Sequence, residues 1–166
     1  MKIVVLTFGF FLLCFSAEAQ RDIDALISQY NKGSVPYISV EELKMEPDSY
    51  LILDTRKKKE YEVSHLPGAI WAGEKPDEGQ LAKLAEVPEK PIVVYCSVGI
   101  RSEGFGEKLQ KMGYTNVRNL YGSIFSWKDA GFHVVDSTQT ATDRVHVFGK
   151  VWGKYLETGD KVYESP

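Results

Sequence analysis

The chain has 166 residues, 43% of them hydrophobic and 26% charged, which suffices for one well-cored domain and excludes disordered, collagenous and fibrous classes. Its 20 Lys and Arg against 23 Asp and Glu give a formal charge of −3, so it lacks the positive field that drives binding to nucleic acid. Two cysteines do not make a disulfide scaffold, and His65, His133 and His146 show no metal-ligand spacing. Neither a metal nor another cofactor is implied.

The first residues read as a targeting segment. Lys2 supplies a basic start, Ile3 to Phe15 a nearly unbroken apolar run, and Ala17 and Ala19 small residues where a signal peptidase reads. The run is shorter than the roughly 20 residues a membrane-spanning helix needs. Residues 1–19 are expected to be a signal peptide, giving an exported chain, periplasmic or secreted, with no membrane attachment after cleavage. Cleavage removes Cys14. A lone Cys96 then has to survive where thiols tend to be oxidised.

Residues 20–34 are read as an N-terminal helix and lead-in, with Ile23, Leu26, Ile27 and Tyr30 at helical spacing and a stop at Asn31-Lys32-Gly33. Val35 to Val40 alternates as a strand does, and Ser39 with Glu42 forms the pattern of a capping box for a short helix. Tyr50 to Asp54 and Pro91 to Tyr95 are apolar runs suited to central parallel strands buried on both faces. Between them, Lys57 to Val63 and Gln80 to Val87 read as helices, and His65 to Gly68 as a turn leading into the short apolar run Ala69 to Trp71. Glu103 to Met112 carries a helical stripe of Phe105, Leu109 and Met112 stopped by Gly113. Val117 to Leu120 reads as a strand and Ser123 to Ala130 as a helix ended by Gly131. Strands alternating with helices imply an α/β sheet covered on both faces. Asp136 to Asp143, rich in Ser and Thr, reads as a linker, and Val145 to Tyr163 as an amphipathic extension that packs back through Val147, Val151, Trp152 and Tyr155.

Cys96 stands where a strand ends and a helix begins, the usual ligand-binding end of an open α/β sheet. The loop Ser97, Val98, Gly99, Ile100, Arg101 would turn backbone N–H groups toward the sulfur, the helix N-terminus would add its positive end, and Arg101 a forked charge. Such a nest stabilises a thiolate and an anion attached to it. The bland alternative is a strand-end cysteine packed as a small hydrophobe. Trp127, Trp152 and Tyr155 are read as packing aromatics.

The order Ile38-Ser39 with Glu42-Leu43, Leu53-Asp54-Thr55-Arg56, Glu60-Tyr61, His65-Leu66-Pro67-Gly68-Ala69, Tyr95-Cys96 with Gly99 and Arg101-Ser102, Gly113-Tyr114, Val117, Leu120, Gly122 and Trp127 resembles the rhodanese family of sulfurtransferases. The resemblance covers roughly 35–135 and leaves 136–166 as linker and extension. It implies a rhodanese-like three-layer fold with a central, mostly parallel five-stranded sheet flanked by helices. It also implies a catalytic Cys96 that takes sulfane sulfur from a small anionic donor, such as thiosulfate or a mercapto acid. The sulfur is carried as a persulfide and passed to a thiol or cyanide. Ser97 to Arg101 would hold the substrate, Asp54 and Arg56 would brace the active loop as a pair, and His65 would steady its turn. The loop departs from the family in lacking the basic residues that many thiosulfate-using members place after the cysteine. Ser123 replaces a frequent glycine, which would alter only a turn. Other readings are a persulfide or redox carrier, a binding module that meets a protein partner through 136–166, and a phosphatase or arsenate reductase. The loop from Cys96 to Arg101 is one residue shorter than in the phosphatases of this fold.

Overall fold

The computed structural model describes residues 23–77, 79 and 90–163. The expected signal peptide at 1–19 and the expected helix Gln80 to Val87 lie outside the described residues. The elements that frame the sheet are a helix at residues 23–30 (α1), β1 (Tyr37–Ile38), α2 (Val40–Met45), β2 (Leu51–Asp54), α3 (Lys58–Val63), β3 (Ile70–Trp71), β4 (Ile92–Tyr95), α4 (Ile100–Lys111), β5 (Val117–Leu120) and α5 (Ser123–Asp129). The five strands form one sheet in the order β1-β5-β4-β2-β3. Every pairing is parallel, so the sheet is wholly rather than mostly parallel.

The period of two along each strand divides the core between the two faces. Ile38, Ile52, Val93, Tyr95 and Leu120 join α1, α2 and α5 in one cluster. Leu51, Leu53, Ile92, Val94 and Val117 meet Phe105 and Leu109 of α4 in the other. Residues 92–95 are all buried, which explains why that strand carries no surface-type side chain. On the α4 side, a Cβ added at Gly106 would lie 2.9 Å from Val35 Cγ2, so the close seating of the helix against Val35 needs glycine there.

Boundaries differ from expectation where a local hydrogen bond or turn intervenes. The strand expected over Val35 to Val40 shrinks to two residues because Ser39 Oγ already accepts the Glu42 N–H at 3.1 Å and starts α2. Helix α4 begins at Ile100 rather than Glu103 because Gly99, at φ 102°, turns the chain into it. Two members of the expected stripes fall outside the core, Tyr30 at 56% and Met112 at 37% exposure, both at the ends of their helices.

The expected linker Asp136 to Asp143 is instead a hairpin. β6 (Val134–Val135) pairs antiparallel with β7 (Ala141–Thr142). Asp136 Oδ1 accepts from Thr138 N, Thr138 Oγ1 and Thr140 N at 2.8, 2.7 and 3.1 Å, so the polar composition is turn chemistry. Beyond it, β8 (Arg144–His146) pairs parallel with β9 (Asp160–Val162) around α6 (Lys150–Gly153). The extension does pack back, through Val145, Val147 and Leu156 in the first core cluster. Val151, expected on that face, is turned out at 72% exposure. No helix among the described residues is long and apolar enough to cross a membrane.

Candidate active site

Cys96 follows β4 directly, between the carboxyl ends of β2 and β5, and is 1% exposed. Burial alone would fit a packed hydrophobe, but the groups around the sulfur do not. The Gly99 N–H donates to Sγ at 3.2 Å, and the Ser102 hydroxyl lies 3.6 Å away. Burial pushes the Cys96 thiol up, yet the Arg101 charge, Ser102 and the Gly99 amide together outweigh it and hold the thiol below its ordinary value. The Cys96 N–H is itself anchored, donating to Ser123 Oγ at 3.1 Å. Ser123 thus does more than alter a turn, since it takes the left-handed φ of 53° usual for glycine and adds a hydroxyl that glycine lacks.

The loop residues expected to bind substrate divide by role. Gly99 supplies the amide described above, and its carbonyl is pinned by Asn31 Nδ2 at 3.0 Å and Asn119 Nδ2 at 2.8 Å. Val98 is buried in the first cluster and Ile100 packs against it, so their side chains are structural. Ser97 and Arg101 converge on Glu60 of α3. Arg101 donates bidentately to Glu60 at 2.9 and 2.8 Å, and to Ser97 Oγ at 3.0 Å. Glu60, with a fully buried side chain, also accepts the Lys57 N–H at 3.0 Å and so caps its own helix. Burial raises the Glu60 carboxyl, but Arg101 above all holds it below its usual range. Arg101 is thereby a fixed charge set by its carboxylate rather than a free clamp.

Asp54 and Arg56 form the expected pair, fully buried, which ties β2 to the end of α3 and, through Tyr95, to the strand end that precedes Cys96. Arg56 Nε lies 2.9 Å and its terminal nitrogen 2.6 Å from the carboxylate, and that nitrogen also donates to Ser64 O at the end of α3. Tyr95, the residue before Cys96, donates its hydroxyl to Asp54 Oδ2 at 2.6 Å and accepts the Leu66 N–H at 3.1 Å. His65 is a structural group beside this network. Its Nδ1 meets Tyr61 O and its Nε2 meets Gln139 Nε2, each at 3.0 Å, and the ring stacks on Tyr61. Both bonds are satisfied by the neutral ring protonated on Nδ1, and burial holds the His65 pKa below its ordinary value. Trp127 Nε1 donates to His133 O at 3.0 Å, and Trp152 lies against Tyr155, as expected of packing aromatics.

Asn31, Glu60, Ser102, Glu103 and Asn119 were not singled out as site residues. Ser102 Oγ donates to Asn119 Oδ1 at 2.7 Å. The buried Glu103 accepts the Lys32 and Ser34 amides at 2.9 and 3.1 Å, tying the lead-in to α4. A sequence signal existed for Asn119, a polar residue in phase with the inward-facing Val117 on a buried strand, where it needs a partner.

A cysteine cradled between the central strand of a parallel sheet and a helix, with an amide and an oriented arginine favouring its thiolate, defines an α/β protein with a candidate thiolate site. The Rhodanese-like domain family model matches residues 39–130, over half of the chain, and the protein belongs to that family. A tRNA uridine(34) hydroxylase of Staphylococcus epidermidis is 36% identical over 104 residues, 55% of this chain and 30% of that relative. The "Putative sulfur carrier protein YrkF" of Bacillus subtilis is 34% identical over 103 residues, 60% of this chain and 55% of the relative. The chain thus spans less than two thirds of the length of these curated relatives. The thiosulfate sulfurtransferase of Pseudomonas aeruginosa shares the fold, with a TM-score of 0.59 over 85% of this chain and 26% of that one at 21% identity.

Proposed function

We propose that the protein is a sulfurtransferase working through a Cys96 persulfide. The observation that carries this reading is the sulfur itself, buried at the end of β4 yet supplied with the Gly99 amide and the nearby Arg101 charge that favour its thiolate. The Cys96 thiolate attacks the outer sulfur of a donor such as thiosulfate or a mercapto acid. A sulfur–sulfur bond forms, and the donor's remaining fragment leaves with the electron pair, as sulfite in the case of thiosulfate. The Gly99 amide steadies the negative sulfur throughout. A thiol or cyanide then takes the outer sulfur and returns Cys96 to the thiolate.

YrkF's name favours a second reading, a carrier that loads sulfur without turning over. The hydroxylase's tRNA substrate is not extended to this chain, whose charge of −3 offers no attraction to RNA. Incubation with thiosulfate or mercaptopyruvate should add one sulfur to Cys96 by intact mass, and cyanide should remove it with turnover. Cys96→Ser should lose both steps while keeping its fold. Loading without turnover would favour the carrier, whereas ready hydrolysis of aryl phosphates with no added sulfur would replace sulfur transfer with phosphatase chemistry.

A further inference from the structure

Phe148 lies in the extension, outside the residues matched to the family, and two features single it out. It is a bulky residue at φ 61°, where such side chains are rare and strained. The residue is also 40% exposed, so core packing does not account for it. The conformation is held locally. The Phe148 N–H donates to the buried His146 Nδ1 at 3.0 Å, and the Val147 N–H donates to Val162 O of β9 at 2.9 Å. The strained backbone delivers the ring to two cations, with Arg101 Cζ 5.4 Å and Lys57 Nζ 5.0 Å from its centroid. One of these ends the Cys96 loop, and the other begins the helix that carries Glu60. The extension therefore reaches the rim of the site.

This changes what the site offers an incoming donor. The loop from Ser97 to Ile100 contributes no cation. Arg101 spends its terminal nitrogens on Glu60 and Ser97, and an aromatic ring lies over its guanidinium. A small doubly charged donor meets an arginine whose terminal nitrogens are already paired with Glu60, whereas a donor with an apolar body meets a ring face. Resting on the sulfur-transfer reading, we propose that Phe148 is a specificity-determining residue that makes the site select organic sulfur donors with an apolar body over inorganic thiosulfate. For an aryl thiosulfonate the balance is simple. The Cys96 thiolate bonds to the outer sulfur, the bond from that sulfur to the sulfonyl sulfur breaks, and the aryl sulfinate leaves with the electron pair.

The test measures kcat/KM for benzenethiosulfonate and for thiosulfate, with cyanide as acceptor, in the full chain and in Phe148→Ala and Phe148→Leu. The ratio of the two should favour the aryl donor in the unmodified protein and fall about tenfold in Phe148→Ala, the scale of one lost aromatic contact. Phe148→Leu, which keeps an apolar side chain, should fall between them and carries the measurement if the alanine variant is unfolded. A second readout needs no sulfur transfer: the rate of Cys96 alkylation by N-phenyl iodoacetamide relative to iodoacetamide should fall in the same order. If no donor loads sulfur but the alkylation ratio falls, the sulfurtransferase reading fails and the aromatic wall stands. Ratios unchanged by both substitutions would overturn the role of Phe148.

Discussion

At the scale of single residues, the site turns on which groups favour the thiolate of one buried sulfur. Burial opposes the thiolate, and the Arg101 charge with Ser102 and the Gly99 amide reverses that opposition. Alkylation of Cys96 should therefore have its pH midpoint below the ~8.5 of a free thiol. Arg101→Ala should move that midpoint upward, and a profile that stays put would remove Arg101 from the account. The same substitution strips the buried Glu60 carboxylate of its counter-charge. The companion variant Glu60→Gln/Arg101→Ala should recover stability without restoring the acidic thiol. Asp54 acts at one remove, since its carboxylate answers the fully buried Arg56 and the hydroxyl of Tyr95. Asp54→Ala leaves that guanidinium unpaired and should cost about 3–5 kcal/mol in urea unfolding. A loss under 1 kcal/mol would show that the pair does not hold β2, β4 and α3 together.

At the scale of elements, the hairpin and the β8–β9 unit belong to the fold rather than trailing from it. The hairpin's first strand exchanges backbone hydrogen bonds with His65 at 2.8 and 2.9 Å, and Gln139 in its turn meets the His65 ring. Val145, Val147 and Leu156 are 0% exposed in the cluster that includes Trp127 and Phe125. Burying each contributes roughly 1.5–3 kcal/mol, together a large share of the 5–15 kcal/mol that holds an ordinary domain. A chain ending at Val135, the limit of the family resemblance, should show a much lower thermal midpoint or no cooperative transition. Equal midpoints for the truncated and full chains would make the extension an appendage.

At the scale of the whole molecule, the parallel sheet brings the carboxyl ends of β2, β4 and β5 together around the candidate site. Asp54 meets Tyr95, and Ser123 meets Cys96, because β2, β4 and β5 run in the same direction side by side. Export is an expectation for the whole chain, drawn from the sequence of residues 1–19. Intact-mass analysis of protein recovered from the cell envelope or medium should find a mature chain starting at Gln20. A membrane-bound species that retains Met1 would replace secretion with anchoring.

The central strands, the helices around them and the candidacy of Cys96 were legible in the sequence because each depends on local patterns. These are apolar runs where strands are buried twice, Ser39 at a helix start, and a cysteine with glycine and arginine spaced between strand and helix. The partners of those residues were not legible. Glu60 faces Arg101 across 41 positions, Asn119 holds Gly99 across 20, and Asn31 does so across 68. Whether Asp136 to Thr142 is a linker or a hairpin turned on the pairing of two strands, which polar composition alone does not reveal. Phe148 looked like one more apolar residue in an extension, and only its strained φ and the two cations beneath its ring place it at the site. Sequence by itself determined the central strands, the helices beside them and which cysteine is the candidate, because propensity and periodicity act over a few residues. Tertiary structure alone decided the Glu60 partner of Arg101 and the ring that lies over it, because those interactions join segments that meet only once the sheet has closed.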